Sequence, residues 1–436
     1  MRRRQPPRCV WKGLFLSVAG LIAVAASAGW FQLFAGSQAF VDFLSRRIGE
    51  ATGTMVRMQP LRWEGASARC PAIALQGTDT ARIRSLDAAG VSARWDWKAL
   101  GRGLWRIEAV SVDTLDVVLQ TPPASTPAVK SSAAPSRIEW TGMEVRRANL
   151  AFESHRLSQS RLDLVPVSGG FDVKARGGIL HMPGLPPLEV LEGTVRQRGA
   201  DFELSNARFR SLQGGQLEAS GRTGRASRLD VSWAGIPTES LPVQEIDGWL
   251  DGNVSGSATR SADGHWQGRF EVAGGSLRRV AVLDQVAAFL DDPALRNPRL
   301  KEFRGSFDVQ NERTLLTALA LESDGLVRIE GTLTIHRGGA IEGDLQVGVP
   351  DSLLRHFPGA REEVFSTAWN GWNWAPLSLG GTLENPTENL SNRLATAVAK
   401  GVIMKHGSRI LEQVAPPGAA DAVRGVLESL LPSLGQ

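Results

Sequence analysis

The chain has 436 residues, of which 42% are hydrophobic and 22% are charged, and its formal net charge is +4. Five of the 49 basic residues precede Gly13, which leaves 44 basic residues against 45 acidic ones, a balance of −1, in the rest of the chain. A chain without a basic patch lacks the electrostatic footprint of a nucleic-acid-binding protein. We therefore predict no nucleic-acid partner.

The N-terminal residues have the pattern of a membrane anchor. Residues 14–34 form a run of 21 residues without a charged side chain, which is long enough to cross a hydrocarbon core of about 30 Å. The basic residues that precede this run place residues 1–13 in the cytoplasm by the positive-inside rule, and the rest of the chain is exported. The sequence predicts a single-pass helix over residues 14–34. Its anchor residues are Trp11, Leu14, Leu21, Trp30 and Phe34.

A cleaved signal peptide is the alternative for this segment. The triplet at residues 26–28 has the small-x-small form of a cleavage site. The apolar character continues through Trp30 and Phe34, which favours an uncleaved anchor, and in both cases the bulk of the chain is exported. Cys9 and Cys70 then lie on opposite sides of the membrane, so we predict no disulfide between them.

After the anchor, the spacing of apolar residues changes from helical to alternating. Residues 37–50 carry apolar side chains at helical spacing and predict an amphipathic helix at the outer membrane surface. An N-terminal β segment follows over residues 55–121, where for example Val91, Ala93 and Trp95 alternate with polar residues. A period of two predicts strands with one apolar face and one polar face.

The remainder of the chain continues this alternation with two interruptions. Residues 122–136 are rich in proline, alanine and serine and predict an exposed linker. Strand patterns return in a middle segment at 137–243 and in a third segment at 244–389, within which helical spacing near 277–292 predicts one internal helix. Residues 390–436 have helical spacing again and predict a helical C-terminal segment.

So few helices cannot cover the apolar faces of so many strands. A sheet with one apolar face must bury that face against another layer. The apolar faces can meet each other in a sandwich or a solenoid, or the sheet can curl into a groove whose apolar inner face is partly filled by a ligand. The alternation of residues alone leaves these architectures open.

Three motifs in the C-terminal half have a familiar order. Residues 303–309 read F-R-G-S-F-D-V, residues 326–333 read L-V-R-I-E-G-T-L and residues 379–386 read L-G-G-T-L-E-N-P. This order, after the glycine at residue 274 and the predicted helix, resembles the C-terminal region of AsmA-like proteins, in the bridge-like group that includes TamB. Residues 310–313 depart from the family, which usually has a glycine turn there.

The resemblance implies an inner-membrane-anchored β-groove in the periplasm, with a role in outer-membrane biogenesis through phospholipid movement or lipid homeostasis. We therefore predict a mainly β fold: an elongated antiparallel β-groove made by a curled sheet, with the anchor, one internal helix and a helical C-terminus. The predicted partners are the membrane, a phospholipid or other acyl lipid, and other envelope proteins. The predicted groove-lining residues are Trp95, Ile107, Val117, Leu119, Phe307, Val309, Leu319, Leu321, Val327, Ile329, Leu333, Ile335, Leu345 and Val347.

No motif with catalytic or metal-binding spacing is present. No two histidines lie closer than 20 residues apart, and no G-x-S-x-G sequence occurs. We predict no enzymatic activity, no metal and no cofactor. Trp369, Trp372 and Trp374 form an aromatic patch, which stacks on sugars, lies at a lipid headgroup level or caps a hydrophobic core.

Two other functions fit the same pattern. The main alternative is a non-transporting exported structural or regulatory β protein, which binds a protein partner and carries no lipid. A β-solenoid enzyme acting on carbohydrate is less favoured, because the sequence offers no pair of carboxylates that would converge on a substrate.

Overall fold

The computed structural model is mainly β, which confirms that part of the predicted fold. The predicted transmembrane segment, the linker at 122–136 and the C-terminal residues beyond 406 lie outside the residues that the structure describes. None of the helices within the described residues is long and apolar enough to span a membrane. The described residues are 37–79, 81–100, 105–121, 138–199, 201–224, 226–241, 250–278, 296–311, 313–355, 359–383 and 385–406.

The chain divides into two units, Met1–Pro183 with Glu189–Ala200 and Gly184–Leu188 with Asp201–Gln436. The strands that belong to the first unit are β1 (Thr54–Met58), β2 (Arg62–Glu64), β3 (Ser67–Gly77), β4 (Ile83–Trp95), β5 (Trp105–Leu119), β6 (Ile138–Trp140), β7 (Met143–Phe152), β8 (His155–Val167), β9 (Gly170–Arg176), β10 (Ile179–His181) and β11 (Leu188–Arg198). A short helix, α2 (Trp97–Leu100), follows β4.

The first unit begins with helix α1 (Gln38–Thr52) in the region where the sequence predicts an amphipathic helix. The hydroxyl of Ser37 accepts a hydrogen bond from the backbone N–H of Phe40, and Gly53 ends the helix with φ 67°. The Ser37 hydroxyl thus satisfies an N–H at the start of the helix, and Gly53 ends the helix through its left-handed backbone, with its own N–H bonded to the Gly49 carbonyl. Phe40 and Val41 are buried, whereas Phe43 on the same helix is exposed.

Strand β5 pairs in parallel with both β6 and β7. The prediction of an antiparallel sheet is therefore wrong for these two pairs. Its other pairings, including those of β3 with β4 and of β7 with β8, are antiparallel. Parallel neighbours need a crossover connection, since a tight turn reverses the chain direction. In the sequence, the Pro/Ala/Ser-rich residues 122–136 stand between β5 and β6, and they lie outside the described residues.

The apolar side chains of β5 stay on one face of the sheet, although their alternation along the strand shifts by one residue. Val112 and Leu115 of β5 belong to one hydrophobic cluster, although odd and even residues of a regular strand point to opposite sides. Opposite this step, Gly90 of β4 has φ 64°, and a side chain there would collide with the Asp113 carboxylate. In β7 the register shifts after Val145. Irregularities in neighbouring strands thus preserve one apolar face.

The second unit consists mainly of strands that pair antiparallel in chain order. The pairing runs from β12 to β20, and β22 then pairs with β20, β21 and β23. These strands are β12 (Asp201–Ser211), β13 (Gln216–Arg222), β14 (Arg228–Pro237), β15 (Leu250–Arg260), β16 (Trp266–Leu277), β17 (Leu300–Gln310), β18 (Arg313–Ser323), β19 (Val327–His336), β20 (Ile341–Val349), β21 (Thr367–Trp369), β22 (Trp372–Gly381) and β23 (Pro386–Glu388).

The internal helix predicted near 277–292 lies, apart from its first two residues, outside the described residues. Leu277 is the last residue of β16, where it lies opposite Leu250. Residues 279–295 are outside the described part of the chain. At Leu277, the alternating pattern of the preceding strand therefore continues where the sequence predicts the first turn of the helix.

Bulges interrupt several of the described strands of the second unit. The register shifts by one residue in β12, β14 and β18, next to Asn206, Gly235 and Ala318, which all have positive φ. Because each bulge adds one residue, Leu316 and Leu319 of β18 point to the same face. Bulges also bend a strand and increase its twist.

Three helices cover one end of the apolar face of this unit. They are α3 (Asp351–Leu354), α4 (Ala360–Glu363) and α5 (Leu390–His406). Leu354, Ala360 and Ala397 of these helices pack in one cluster with Val347 of β20 and Ala375 of β22. The cluster includes residues of β19, β20 and β22 and none of β12 to β18.

The start of α5 is fixed by a carboxylate. Glu388 accepts hydrogen bonds from the backbone N–H groups of Leu390, at 2.5 Å, and Ser391, at 2.9 Å. Burial opposes ionisation of this carboxyl, but the hydrogen bonds from Ser391 and Leu390 hold the pKa of Glu388 below its ordinary value. A negative charge at this position also interacts favourably with the helix dipole.

The edge of β22 that faces away from β20 is closed by side chains between β21 and β23. Arg393 of α5 donates to the carbonyl of Pro376 at 2.8 Å, and the side-chain oxygen of Asn389 accepts from the N–H of Ser378 at 3.0 Å. Pro376 itself has no N–H to offer. These contacts satisfy edge groups that a further strand would otherwise use.

An ion-pair network around one buried carboxylate lies on the polar face of β17 to β19. Glu322 is 6% exposed and contacts Lys301 and Arg328, both at 2.6 Å. Arg328 also contacts Glu330 at 2.7 Å. The hydrogen bond from Lys301 is the main reason that the pKa of Glu322 is lowered; burial opposes this shift, and the charge of Arg328 adds to it.

We predict that Glu322→Gln lowers the free energy of unfolding by about 1–3 kcal/mol near neutral pH, because Lys301 and Arg328 lose a charged acceptor. The folded-state pKa is lowered, so the contribution of the carboxylate is complete above the ordinary value of 4.5 and disappears as the pH falls through the folded value. Denaturant titrations of both proteins, near neutral pH and at about pH 3, measure this loss. A difference that is equal at both pH values contradicts the prediction.

Candidate functional site

Large apolar side chains from neighbouring strands lie on one face of the second unit. Phe307 of β17 lies opposite Gly268 of β16 and opposite Leu316 of β18. Leu316 lies opposite Leu333 of β19, which lies opposite Gly343 of β20. Residues directly opposite each other in antiparallel strands point to the same side of a sheet. This register therefore defines a continuous apolar face across five strands.

Two parts of this face differ in their exposure. Near α3, α4 and α5, Val347 and Ala375 are buried, and Val347 is only 7% exposed. Away from these helices most large side chains of β16 to β18 are half-buried, so one side of each of these remains accessible, whereas Val272 and Leu300 are buried. We call these half-buried residues the open part of the apolar face; they are Trp266, Phe270, Phe303, Phe307, Val309, Leu316 and Leu319.

Within the open part, rings lie over glycines. A Cβ atom at Gly305 would lie 3.1 Å from the ring of Phe270 and 2.8 Å from Leu319, and one at Gly268 would lie 2.5 Å from the ring of Phe307. The ring of Phe270 is also 5.4 Å from that of Phe303, at 77°. In the sequence, each of these glycines stands two residues from an aromatic residue, Gly268 before Phe270 and Gly305 before Phe307. This spacing was not used to predict the arrangement of the rings.

The predicted groove-lining residues fall into groups in the structure. In the second unit, Phe307, Val309, Leu319, Leu321, Leu333 and Ile335 lie half-buried on the apolar face, and Leu345 lies buried on it. Val327, Ile329 and Val347 instead pack in the cluster covered by α3 to α5. Their sequence pattern is the same as that of Val309, and only the helices that follow β20 distinguish them.

The predicted lining residues of the first unit form a separate set. Trp95 lies opposite Ile107, and its ring is 6.1 Å from that of Trp63. Val117 is buried, whereas Leu119 is partly exposed beside Phe152, its partner in the parallel pair. These positions belong to the apolar face of the first unit.

The aromatic patch is a β-hairpin. Asn370 and Gly371 form its two-residue turn, with φ 54° and 83°, so Trp369 lies opposite Trp372. The indole N–H of Trp374 donates to the carbonyl of Trp369 at 3.1 Å, and the two rings are 6.4 Å apart. Trp374 is 5% exposed and Trp369 is 64% exposed. One tryptophan of the patch is therefore buried and another faces solvent.

Comparison with known proteins does not assign a family. No family model, no curated protein and no solved structure matches this chain. Within the described ranges, no three His, Cys, Asp or Glu side chains are grouped so that they could hold a metal ion.

A matched pair of valines tests the difference between the two parts of the apolar face. Val347→Asp places a carboxylate beneath the helices, and we expect it to lower the free energy of unfolding by more than about 4 kcal/mol. Val309→Asp makes the same change in the open part, where water reaches the side chain, and we expect a loss of about 1–2 kcal/mol. Denaturant titration of both variants measures the difference. Equal losses contradict it.

The aromatic hairpin allows a similar comparison. Trp374→Ala removes a buried ring and should lower the free energy of unfolding by about 3–5 kcal/mol. Trp369→Ala removes an exposed ring and should change it by less than about 0.5 kcal/mol. Thermal and denaturant unfolding measure both effects, and a large loss for Trp369→Ala shows that this side chain supports the fold.

Proposed function

We propose that the protein holds acyl chains of phospholipid against the open part of the apolar face. The observation that carries this proposal is that most large side chains of β16 to β18 are half-buried on a face whose other end is covered by α3, α4 and α5. Apolar surface of this kind is stabilised by an apolar cover. An acyl chain provides such a cover and leaves again without refolding of the protein.

The chemistry of the face fits a ligand that is held without a unique polar site. Each buried CH₂ group contributes about 0.8 kcal/mol, so one acyl chain of ordinary length contributes roughly 10 kcal/mol. Contacts from many side chains, such as Phe270, Phe307 and Leu316, divide this energy into shallow and similar steps. A lipid on such a surface moves by exchanging one contact at a time.

We further propose the cellular setting that the sequence predicts. Residues 14–34 anchor the chain in the inner membrane as a single pass, and the β units lie in the periplasm. The AsmA-like order of motifs supports a role in outer-membrane biogenesis and an elongated β-groove. The bulges at Asn206, Gly235 and Ala318 favour a curled sheet, since bulges bend strands.

A protein partner is the second candidate for the same face. The observation in its favour is that Leu354 and Ala360, on two short helices, already cover Val347. Helices of a partner could cover Phe307 in the same way. Such a protein would be structural or regulatory and would carry no lipid.

Site-specific photocrosslinking of the full-length protein in bacterial membranes distinguishes these functions. The photoreactive residue p-benzoyl-phenylalanine replaces Phe307 on the apolar face, and in a matched control it replaces Gln267. Gln267 is exposed and lies opposite Asp308, on the polar face of the same strands. After irradiation, mass spectrometry identifies what is attached to the protein.

We expect phospholipid adducts from position 307 and none above background from position 267. This result follows if acyl chains contact only the apolar face. Adducts to a protein at position 307, without lipid, favour the structural or regulatory function. Equal lipid yields from both positions contradict a lipid site on the open part.

A further inference from the structure

Gly305 occupies a position where the backbone does not require glycine. The structure gives positive φ values for 22 glycines, and Gly305 is not among them. A glycine inside a strand weakens the strand, because it has high conformational entropy and no side chain to pack. The remaining reason for glycine at this position is that other side chains occupy the space where its Cβ atom would lie.

That space is filled by two side chains of the open part. A Cβ atom at Gly305 would meet the ring of Phe270 at 3.1 Å and Leu319 at 2.8 Å, and its three nearest contacts within 4 Å are all side-chain atoms. Phe270 lies directly opposite Gly305, and its ring packs edge-to-face with Phe303. The ring thus lies low over the sheet, in the place of a side chain at position 305.

Gly348 provides a comparison on the opposite face. A Cβ atom there would lie 3.1 Å from the ring of Trp374, and Trp374 is itself buried. The ring over Gly348 is therefore enclosed on its outer side. The ring of Phe270 is only half-buried, so its outer side forms part of the surface of the open part.

We propose that Gly305 determines how much lipid the open part accepts, because it keeps the ring of Phe270 and the side chain of Leu319 close to the sheet. This inference rests on the proposed lipid-binding function. A side chain at position 305 would push both groups outward into the space of the acyl chains. A phospholipid with two chains needs more of this surface than a lysophospholipid with one, so its binding depends more on Gly305.

The test uses the full-length protein with p-benzoyl-phenylalanine in place of Phe307. Gly305→Val adds an isopropyl group where the ring of Phe270 lies, and Gly348→Val is the matched control on the other face. We expect the yield of two-chain lipid adducts to fall by about tenfold with Gly305→Val, as overpacking of this kind predicts. The yield with Gly348→Val should equal that of the parent, and lysophospholipid adducts should fall less than two-chain adducts.

A second change, at position 270, separates displacement of the ring from misfolding. Phe270→Ala removes one of the two groups that the valine displaces, so Phe270→Ala with Gly305→Val should give more two-chain adducts than Gly305→Val alone. Phe270→Ala alone should keep the yield at or above the parent level. Thermal unfolding of each protein shows whether it is folded. If Gly305→Val does not fold, the folded double variant is compared with Phe270→Ala: it should give fewer two-chain adducts because the valine still displaces Leu319, and equal yields overturn the proposal.

The outcomes separate this inference from the function on which it rests. Absence of lipid adducts from the parent protein contradicts the lipid-binding function itself. Parent adducts that are unchanged by Gly305→Val leave that function in place and overturn the role of Gly305. Equal losses with Gly305→Val and Gly348→Val also overturn it, since a general loss of stability then explains both.

Discussion

The packing of α3, α4 and α5 on Val347 and Ala375 is the interaction that divides this protein into parts with different properties. A sheet has two faces, and an apolar one must be covered. At this end of the second unit the chain provides its own cover, and the residues there form a closed core. Phe270 and Phe307, on the same face, are left half-buried by the residues that the structure describes.

Irregular residues make that face continuous. A strand with strict alternation keeps one face apolar only while its pattern stays in phase. Leu316 and Leu319 of β18 are out of phase, and Ala318, with φ 50°, restores them to one side. Gly90 and Asp113 mark a similar step in the first unit. The cost of an unusual backbone conformation is offset by uninterrupted apolar surface.

The sequence predicted the β class and the apolar face, because alternation is a local property of each strand. It did not predict the parallel pairing of β5 with β7, since the choice of partner depends on a crossover and leaves no periodic signal. The short helices α3 and α4 each have four residues, too few for helical spacing to be visible. For this reason Val309 and Val347 looked alike in sequence, although the structure leaves one accessible and covers the other.

The closed edge of β22 limits how this protein associates with itself. Exposed strand edges commonly join to those of other molecules, which leads to dimers, swapped domains and fibrils. At this edge a joining strand would have to displace Arg393 from the Pro376 carbonyl and Asn389 from Ser378, and it would find no donor at Pro376. The protein can thus present apolar surface on the face of its sheet without polymerising through this edge. Contacts through the apolar face and pairing through strand edges are kept separate.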